Sequence, residues 1–194
     1  MIKLKNMMYI SLFAAIIGVL GFFPPILLPL LPVPVTLQTL GVMLAGGILG
    51  ARRGGLSLLL FLLLVIIGLP LLSGGRGGAG ILVGPTGGFF LCWPIAAWIV
   101  GFMVEKYWHT LNVGKVFLFN VIAGVLLINL SGATFLSLTG ELPWLGAATS
   151  TLIFIPGDLL KAGIASYVTV QFNKRYPVID QSKPAKQASF KGVS

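Results

Sequence analysis

Six long apolar stretches follow one another along the chain, and short segments between them carry most of the polar, charged, proline and glycine residues. A helix that crosses the hydrocarbon core of a bilayer needs about 20 predominantly apolar residues. The pattern therefore predicts an all-α integral membrane protein with six transmembrane helices, at residues 8–23, 37–51, 56–69, 87–104, 116–138 and 145–170. The second and third stretches are short for a full crossing.

Three of the connecting segments have a distinctive composition. Residues 24–34 contain five prolines in eleven positions, which excludes a regular helix and predicts an extended apolar loop lying over the protein. Residues 74–80 and 84–88 are rich in glycine, which lets a backbone approach a ligand closely or simply makes a flexible connector. The run Arg52-Arg53-Gly54-Gly55 is expected to form the turn between the second and third helices.

The composition excludes a soluble fold. Of the 194 residues, 57% are hydrophobic and 9% are charged, whereas soluble domains carry about 25% charged residues. We therefore expect a single six-helix transmembrane domain over residues 1–176. Residues 177–194 are polar and basic, and we expect them to form a disordered tail.

The net charge of +9 is distributed in a way that predicts orientation rather than nucleic-acid binding. Cytoplasmic loops of membrane proteins carry an excess of lysine and arginine. If both termini are cytoplasmic, Lys161 falls inside the sixth helix and Arg76 alone falls outside, so that the proline-rich and glycine-rich loops are extracellular. The remaining basic residues then lie inside: Lys3, Lys5, Arg52, Arg53, Lys106, Lys115, Lys174, Arg175, Lys183, Lys186 and Lys191.

Asp158 and Lys161 are the ionisable residues that lie well within a predicted span. Each such group costs about 2.5–3.5 kcal/mol to insert into a bilayer. Three residues apart on a helix, the two can form an ion pair, and Pro156-Gly157 just before them weakens the helix. The pair either locks two helices together or anchors a polar ligand. We favour the anchor, because a buried pair contributes little to stability alone.

Other polar and aromatic residues are further candidates. Thr36, Gln38 and Thr39 stand where the proline-rich loop enters the second helix. Asn129 lies within the fifth helix, where its amide either bonds a neighbouring helix or contacts a ligand. Trp93 follows Phe89 by one helical turn, and such a tryptophan is either an interfacial anchor or a stacking surface for a ligand.

The sequence lacks the signatures of an enzyme. It has no phosphate-binding loop for ATP and no Ser-His-Asp constellation. His109 has no cysteine or carboxylate at ligand spacing, so we expect no metal site.

Energy for active transport would have to come from a partner. Ala14 and Gly18 form one shallow small-residue stripe on a lipid-facing first helix, which serves either a partner helix or internal packing.

Three motifs resemble the BioY family in their order along the chain: residues 33–40, 84–89 and 156–161. The resemblance runs from about Leu12 to Tyr176. That family comprises biotin-binding S components of energy-coupling factor (ECF) transporters, which are ABC transporters for vitamins. The resemblance implies high-affinity biotin capture at a bacterial cell membrane, no cofactor, and association with a transmembrane coupling subunit and two cytosolic ATPases. It also implies that Ala14 and Gly18 dock the coupling subunit, with glycine where alanine is commoner.

The chemistry of biotin suits the candidate residues. Its ureido ring would bond Asp158, with Asn129 or Gln38 at the remaining polar edge, and its carboxylate needs a cation or backbone amides. Apolar walls would hold the rest of the molecule. Rival hypotheses are a self-sufficient secondary transporter and an S component for another vitamin. The expected biotin-binding residues are Asp158, Lys161, Asn129, Thr36, Gln38, Arg76, Thr86, Gly87, Phe89 and Trp93.

Overall fold

The computed structural model of the chain describes residues 4–26, 34–140, 143–176 and 178–179. These residues form a bundle of helices with two isolated β-bridges and no β-strand, which confirms the predicted helical fold class. Single helical turns at Ala79–Leu82 and Trp108–Thr110 lie in the loops on either side of the fourth helix. The six main helices of the described residues are α1 (Leu4–Gly21), α2 (Gln38–Leu49), α3 (Ala51–Ile66), α4 (Gly87–Lys106), α5 (Val113–Leu138) and α6 (Trp144–Arg175).

The helices differ in length. Within the described residues, α1, α4, α5 and α6 are long and apolar enough to cross a membrane. Helix α2 has 12 residues, or about 18 Å at the usual rise of about 1.5 Å per residue. Helix α3 has 16 residues and carries two arginines in its first turn. The two predicted short spans are therefore the two short helices of the structure.

The turn between α2 and α3 lies at Gly50, not at the expected run Arg52-Arg53-Gly54-Gly55, which forms the first turns of α3. Gly50 has φ +82°, a left-handed conformation that glycine adopts without strain. The carboxylate of Glu105, at the end of α4, accepts a hydrogen bond from the backbone N–H of Ala51 at 2.9 Å. An anion at a helix N-terminus is favourable, so this single contact ties the turn to α4.

Helix α4 packs against α2, α3 and α5. Two glycines permit its close crossing with the α2–α3 pair. A Cβ atom on Gly46 would overlap the carbonyl oxygen of Ala97, and one on Gly101 would overlap the backbone of Ala51. The buried core on this side includes Phe61 and Trp93, whose rings stack with centroids 6.0 Å apart.

Helices α5 and α6 are irregular at matching places. Residues Asn120–Leu127 of α5 are π-helical and end two residues before Asn129. Helix α6 tightens into one 3-10 turn at Leu152–Phe154, after which Pro156 lies in the first turn of its long regular part. Such irregular turns often accompany functional sites, because they redirect the side chains that follow.

The ends of the proline-rich loop are fixed to each other, since Ile26 and Val35 exchange two backbone hydrogen bonds of 3.0 Å. Residues 27–33 of the predicted extended loop lie outside the described residues. After α6, the carbonyl of Val178 accepts a 2.6 Å hydrogen bond from Arg53, and Ile179 is buried against the bundle. The rest of the tail predicted to be disordered lies outside the described residues.

Candidate functional site

A cavity of about 510 Å³, counted with its open mouth, lies between α2, α4, α5 and α6. Eight of the ten residues predicted to bind a ligand line it. Its lining residues are Pro34, Val35, Thr36, Thr39, Arg76, Thr86, Phe89, Phe90, Trp93, Ile128, Asn129, Phe154, Asp158 and Lys161.

The predicted ion pair is present and lies on the cavity wall. Lys161 Nζ is 2.7 Å from Asp158 Oδ1, and the two residues are 7% and 5% exposed. Lys161 also donates to the carbonyl of Thr36 at 2.8 Å and to Thr39 Oγ1 at 2.9 Å. An ammonium group has three donors, so all the donors of Lys161 already have protein partners.

The second oxygen of the Asp158 carboxylate bonds α5. Asn129 Nδ2 donates to Asp158 Oδ2 at 3.1 Å and to the carbonyl of Val125 at 2.9 Å. A side-chain amide has two N–H donors and one carbonyl acceptor. Asn129 therefore uses both of its donors in hydrogen bonds to the protein. Its Oδ1 accepts no hydrogen bond from the described residues and is available to a donor in the cavity. The amide therefore joins two helices and offers an acceptor as well.

Aromatic side chains form the apolar wall. Phe90 and Trp93 meet edge to face with centroids 4.8 Å apart, and Phe89 and Phe154 do so at 6.3 Å. Trp93 is 2% exposed, so it is not an interfacial anchor, and it lines the cavity instead. The site therefore combines a hydrogen-bonding end at Asp158 with flat apolar walls.

The mouth of the cavity carries a cation. Arg76 lies in the loop between α3 and α4, is half-buried, and lines the cavity together with Thr86. Its Nε donates to the carbonyl of Ser73 at 3.3 Å. No carboxylate among the described residues forms an ion pair with it.

Gln38 and Gly87 do not line the cavity, contrary to expectation. Gln38 is fully buried and bonds the backbone of α1 and of the α3–α4 loop instead. Gly87 begins α4 where the chain is tightly packed, and a Cβ atom there would overlap the carbonyl oxygen of Leu82. Polar character and position in a motif indicated these residues but not the direction in which they face.

Five apolar lining residues were not among the predicted binding residues: Pro34, Val35, Phe90, Ile128 and Phe154. Phe154 precedes Asp158 by four residues and Ile128 precedes Asn129 by one. Helical spacing from Asp158 would have indicated Phe154, since residues four apart share a face. Nothing in an almost uniformly apolar sequence distinguishes Ile128 or Phe90 from their neighbours.

Ala14 and Gly18 face inward, so the predicted lipid-facing stripe is wrong. Ala14 is 2% exposed and Gly18 is buried. A Cβ atom on Gly18 would lie 3.4 Å from a side-chain carbon of Leu71, in the α3–α4 loop. The small residues one turn apart that α1 exposes are Ser11 and Ala15.

The described residues form a helical membrane protein with a partly polar, partly aromatic cavity that is open at its mouth, which is the arrangement of a solute-binding protein. A sequence model of the BioY family matches residues 1–178, and the chain belongs to that family. With its family and its several long apolar helices, it is a multi-pass membrane protein.

Similar proteins carry the names of biotin transporters. The chain is 40% identical over 180 residues to the probable biotin transporter BioY of Bacillus subtilis (strain 168), which covers 93% of this chain and 96% of the relative. It is 42% identical to the biotin transporter BioY of Rhizobium etli, over 90% of this chain and 96% of the relative. A crystal structure of the S-component for biotin from an ECF-type ABC transporter matches with a TM-score of 0.85 at 37% identity, covering 89% of this chain and 92% of that one.

Proposed function

We propose that this protein is the biotin-binding S component of an ECF-type ABC transporter and captures biotin for uptake. The observation that carries the proposal is the buried Asp158–Lys161 pair at the end of an aromatic cavity, in a chain whose similar proteins are biotin transporters. The pair has its own hydrogen-bond partners, and the neighbouring groups that remain available suit a ligand that is polar at one end and apolar in the middle.

The ureido ring binds at the hydrogen-bonding end of the cavity, beside Asp158. Its two N–H groups donate to the Asp158 carboxylate and to Asn129 Oδ1, which is the acceptor that the protein leaves unused. A hydrogen bond to a charged acceptor contributes about 1.5–3 kcal/mol. The thiophane ring and the aliphatic chain then lie against Phe89 and Trp93.

The valerate carboxylate binds Arg76 rather than Lys161. Lys161 already donates to Asp158, Thr36 and Thr39, so it would have to give up a protein partner to reach the ligand. Arg76 stands at the mouth and commits its Nε to Ser73. Its terminal nitrogens suit a carboxylate, since a guanidinium binds one in a bidentate fashion.

The remaining parts of the proposal concern the assembly. The chain crosses the bacterial plasma membrane with six helices and both termini inside, and it works with a transmembrane coupling subunit and two cytosolic ATPases. The sequence has no nucleotide-binding loop, which supports the part of the proposal that assigns ATP hydrolysis to partner subunits. We place the coupling subunit on the exposed face of α1 that carries Ser11 and Ala15, because small side chains let helices approach closely in lipid.

Isothermal titration calorimetry on the purified protein in detergent tests the binding role. We expect one biotin per chain, without ATP or partner subunits, and no heat from thiamine or riboflavin. Biotin at about one hundred times its Kd should stabilise the fold by about 2.7 kcal/mol, which raises the melting temperature. Binding of another vitamin in place of biotin, or no binding by folded protein, would contradict the proposal.

A further inference from the structure

We propose that Gln38 is a positioning residue that holds Arg76 at the mouth of the cavity without touching the ligand. This inference rests on the proposed function, in which Arg76 binds the carboxylate of biotin. Gln38 is 0% exposed and begins α2, between α1 and the loop that carries Arg76. A fully buried amide in a membrane protein needs partners for all its polar groups, and here it finds them in two other segments.

The amide of Gln38 uses its full hydrogen-bonding capacity. Its Nε2 donates to the carbonyl of Ile17 in α1 at 3.2 Å and to that of Leu71 at 3.0 Å. Its Oε1 accepts from the backbone N–H of Ser73 at 3.1 Å and from the Ser73 hydroxyl at 3.2 Å. An amide is the side chain that offers two donors and two acceptors, so this junction requires the residue type that it has.

Ser73, which is held by Gln38, is in turn hydrogen-bonded to Arg76. The carbonyl of Ser73 accepts from Arg76 Nε at 3.3 Å. Leu72 and Arg76 close the same turn with two backbone hydrogen bonds of 3.0 and 3.2 Å. The turn passes through Gly74 and Gly75, which both have positive φ and have no side chain that could fix the turn by packing. The position of the guanidinium therefore depends on Gln38 through one intervening residue.

Comparing the affinities for two ligands distinguishes a role of Gln38 in positioning Arg76 from a general role in folding. Biotin methyl ester keeps both rings but has no carboxylate, so it does not need Arg76. We expect Gln38→Leu to weaken biotin binding by about tenfold, the value of one charge-assisted hydrogen bond, and ester binding by less than about twofold. In an Arg76→Gln background, Gln38→Leu should cause no further loss of biotin affinity, because coupled residues act as one unit. Equal losses for both ligands, or additive losses, would overturn the inference.

A milder variant guards against misfolding of Gln38→Leu. Ser73→Ala removes one of the four hydrogen bonds and keeps the backbone contact, so we expect a loss of a few-fold for biotin and none for the ester. The matched control is Ser57→Ala, which removes another buried hydroxyl that donates to the carbonyl of Arg53 and does not line the cavity. This control should leave both affinities unchanged. Loss of affinity in Ser57→Ala equal to that in Ser73→Ala would overturn the inference.

A readout without ligand separates this inference from the proposed function. Trypsin cleaves after arginine, and if Gln38 fixes the turn at Arg76, we expect that turn to be cut slowly in the wild type. Gln38→Leu and Ser73→Ala should each be cut after Arg76 faster than the wild type and faster than Ser57→Ala, in the absence of biotin. Unchanged cleavage in Gln38→Leu would overturn the restraint even if biotin binds. Faster cleavage with no biotin binding by the wild type would keep the restraint and reject the function.

Discussion

The ion pair of Asp158 and Lys161 is completed by neutral hydrogen-bonding groups. Thr36, Thr39 and Asn129 occupy the remaining donors and acceptors that face the protein. Removing both charged residues from a buried pair often leaves stability unchanged, whereas removing one leaves an uncompensated charge and costs about 3–5 kcal/mol. Retention of the pair in a cavity wall is therefore better explained by ligand binding than by stability.

Replacing Asp158 with asparagine should weaken biotin binding by more than about tenfold. The change keeps the shape but removes the negative charge that accepts the ureido N–H, and such a bond contributes about 1.5–3 kcal/mol in a dry site. The melting temperature should also fall, because Lys161 loses its counter-ion. Calorimetry at a temperature well below the new melting point measures the affinity.

The control for this variant is Glu105→Gln, which also removes a carboxylate that accepts a backbone hydrogen bond, but at the end of α4 away from the cavity. Its amide oxygen still accepts from Ala51, so biotin affinity should change by less than about twofold. A folded Asp158→Asn protein with wild-type affinity would assign the ion pair to structure alone.

Sequence spacing was sufficient to predict this pair and insufficient for Gln38. Asp158 and Lys161 are charged, within an apolar stretch, and three residues apart on a helix, so both their proximity and their burial followed from the sequence. Gln38 is equally polar, but its direction depends on where Ile17 and Ser73 lie after folding. Those contacts join segments more than 20 residues apart, which no local pattern records.

The buried face of helix α1 could not be predicted from the sequence either. Its residues are apolar on nearly every side, so the sequence does not indicate which face is buried. In the structure Ala14 and Gly18 face the bundle, while Ser11 and Ala15 face outward. The helical fold and the order of the long apolar segments were predictable from hydropathy. The rotation of α1 about its axis and the turn at Gly50 were not, because packing decides both.

A tryptophan at position 15 should block the partner helix and leave the cavity intact. Ala15 is exposed one turn from Ser11, and a bulky side chain there would keep a second helix several ångströms away, where close packing is lost. We expect Ala15→Trp to bind biotin within about twofold of the wild type but to co-purify less coupling subunit. Transport driven by the ATPases should fall in parallel.

The matched control is Leu63→Trp, which places the same side chain on an exposed position of α3. Both co-purification and transport should remain at wild-type levels in that variant. Normal co-purification of Ala15→Trp would place the coupling subunit on another face. A loss of biotin affinity in Ala15→Trp would show instead that α1 shapes the cavity.

The two ends of the bundle differ in charge. Three contacts bring the α2–α3 turn, the end of α4, the start of α5 and the residues after α6 to one end: Glu105 with Ala51, Arg53 with Val178, and Lys115 over the ring of Tyr107 at 6.0 Å. The described basic residues at these places are Arg52, Arg53, Lys106, Lys115, Lys174 and Arg175. Arg76 lies in the α3–α4 loop at the mouth of the cavity.

This separation predicts the orientation of the whole protein. Basic residues in short loops stay on the cytoplasmic side, so the end with Glu105 should face the cytoplasm and the cavity mouth should face outward. In a Cys92→Ala background, which removes the buried native thiol, a cysteine at exposed Ala79 should react with a membrane-impermeant maleimide on intact cells. A cysteine at exposed His109 should react only after the cells are permeabilised. The opposite labelling pattern would turn the cavity mouth toward the cytoplasm, and an S component oriented in that way could not capture biotin from outside.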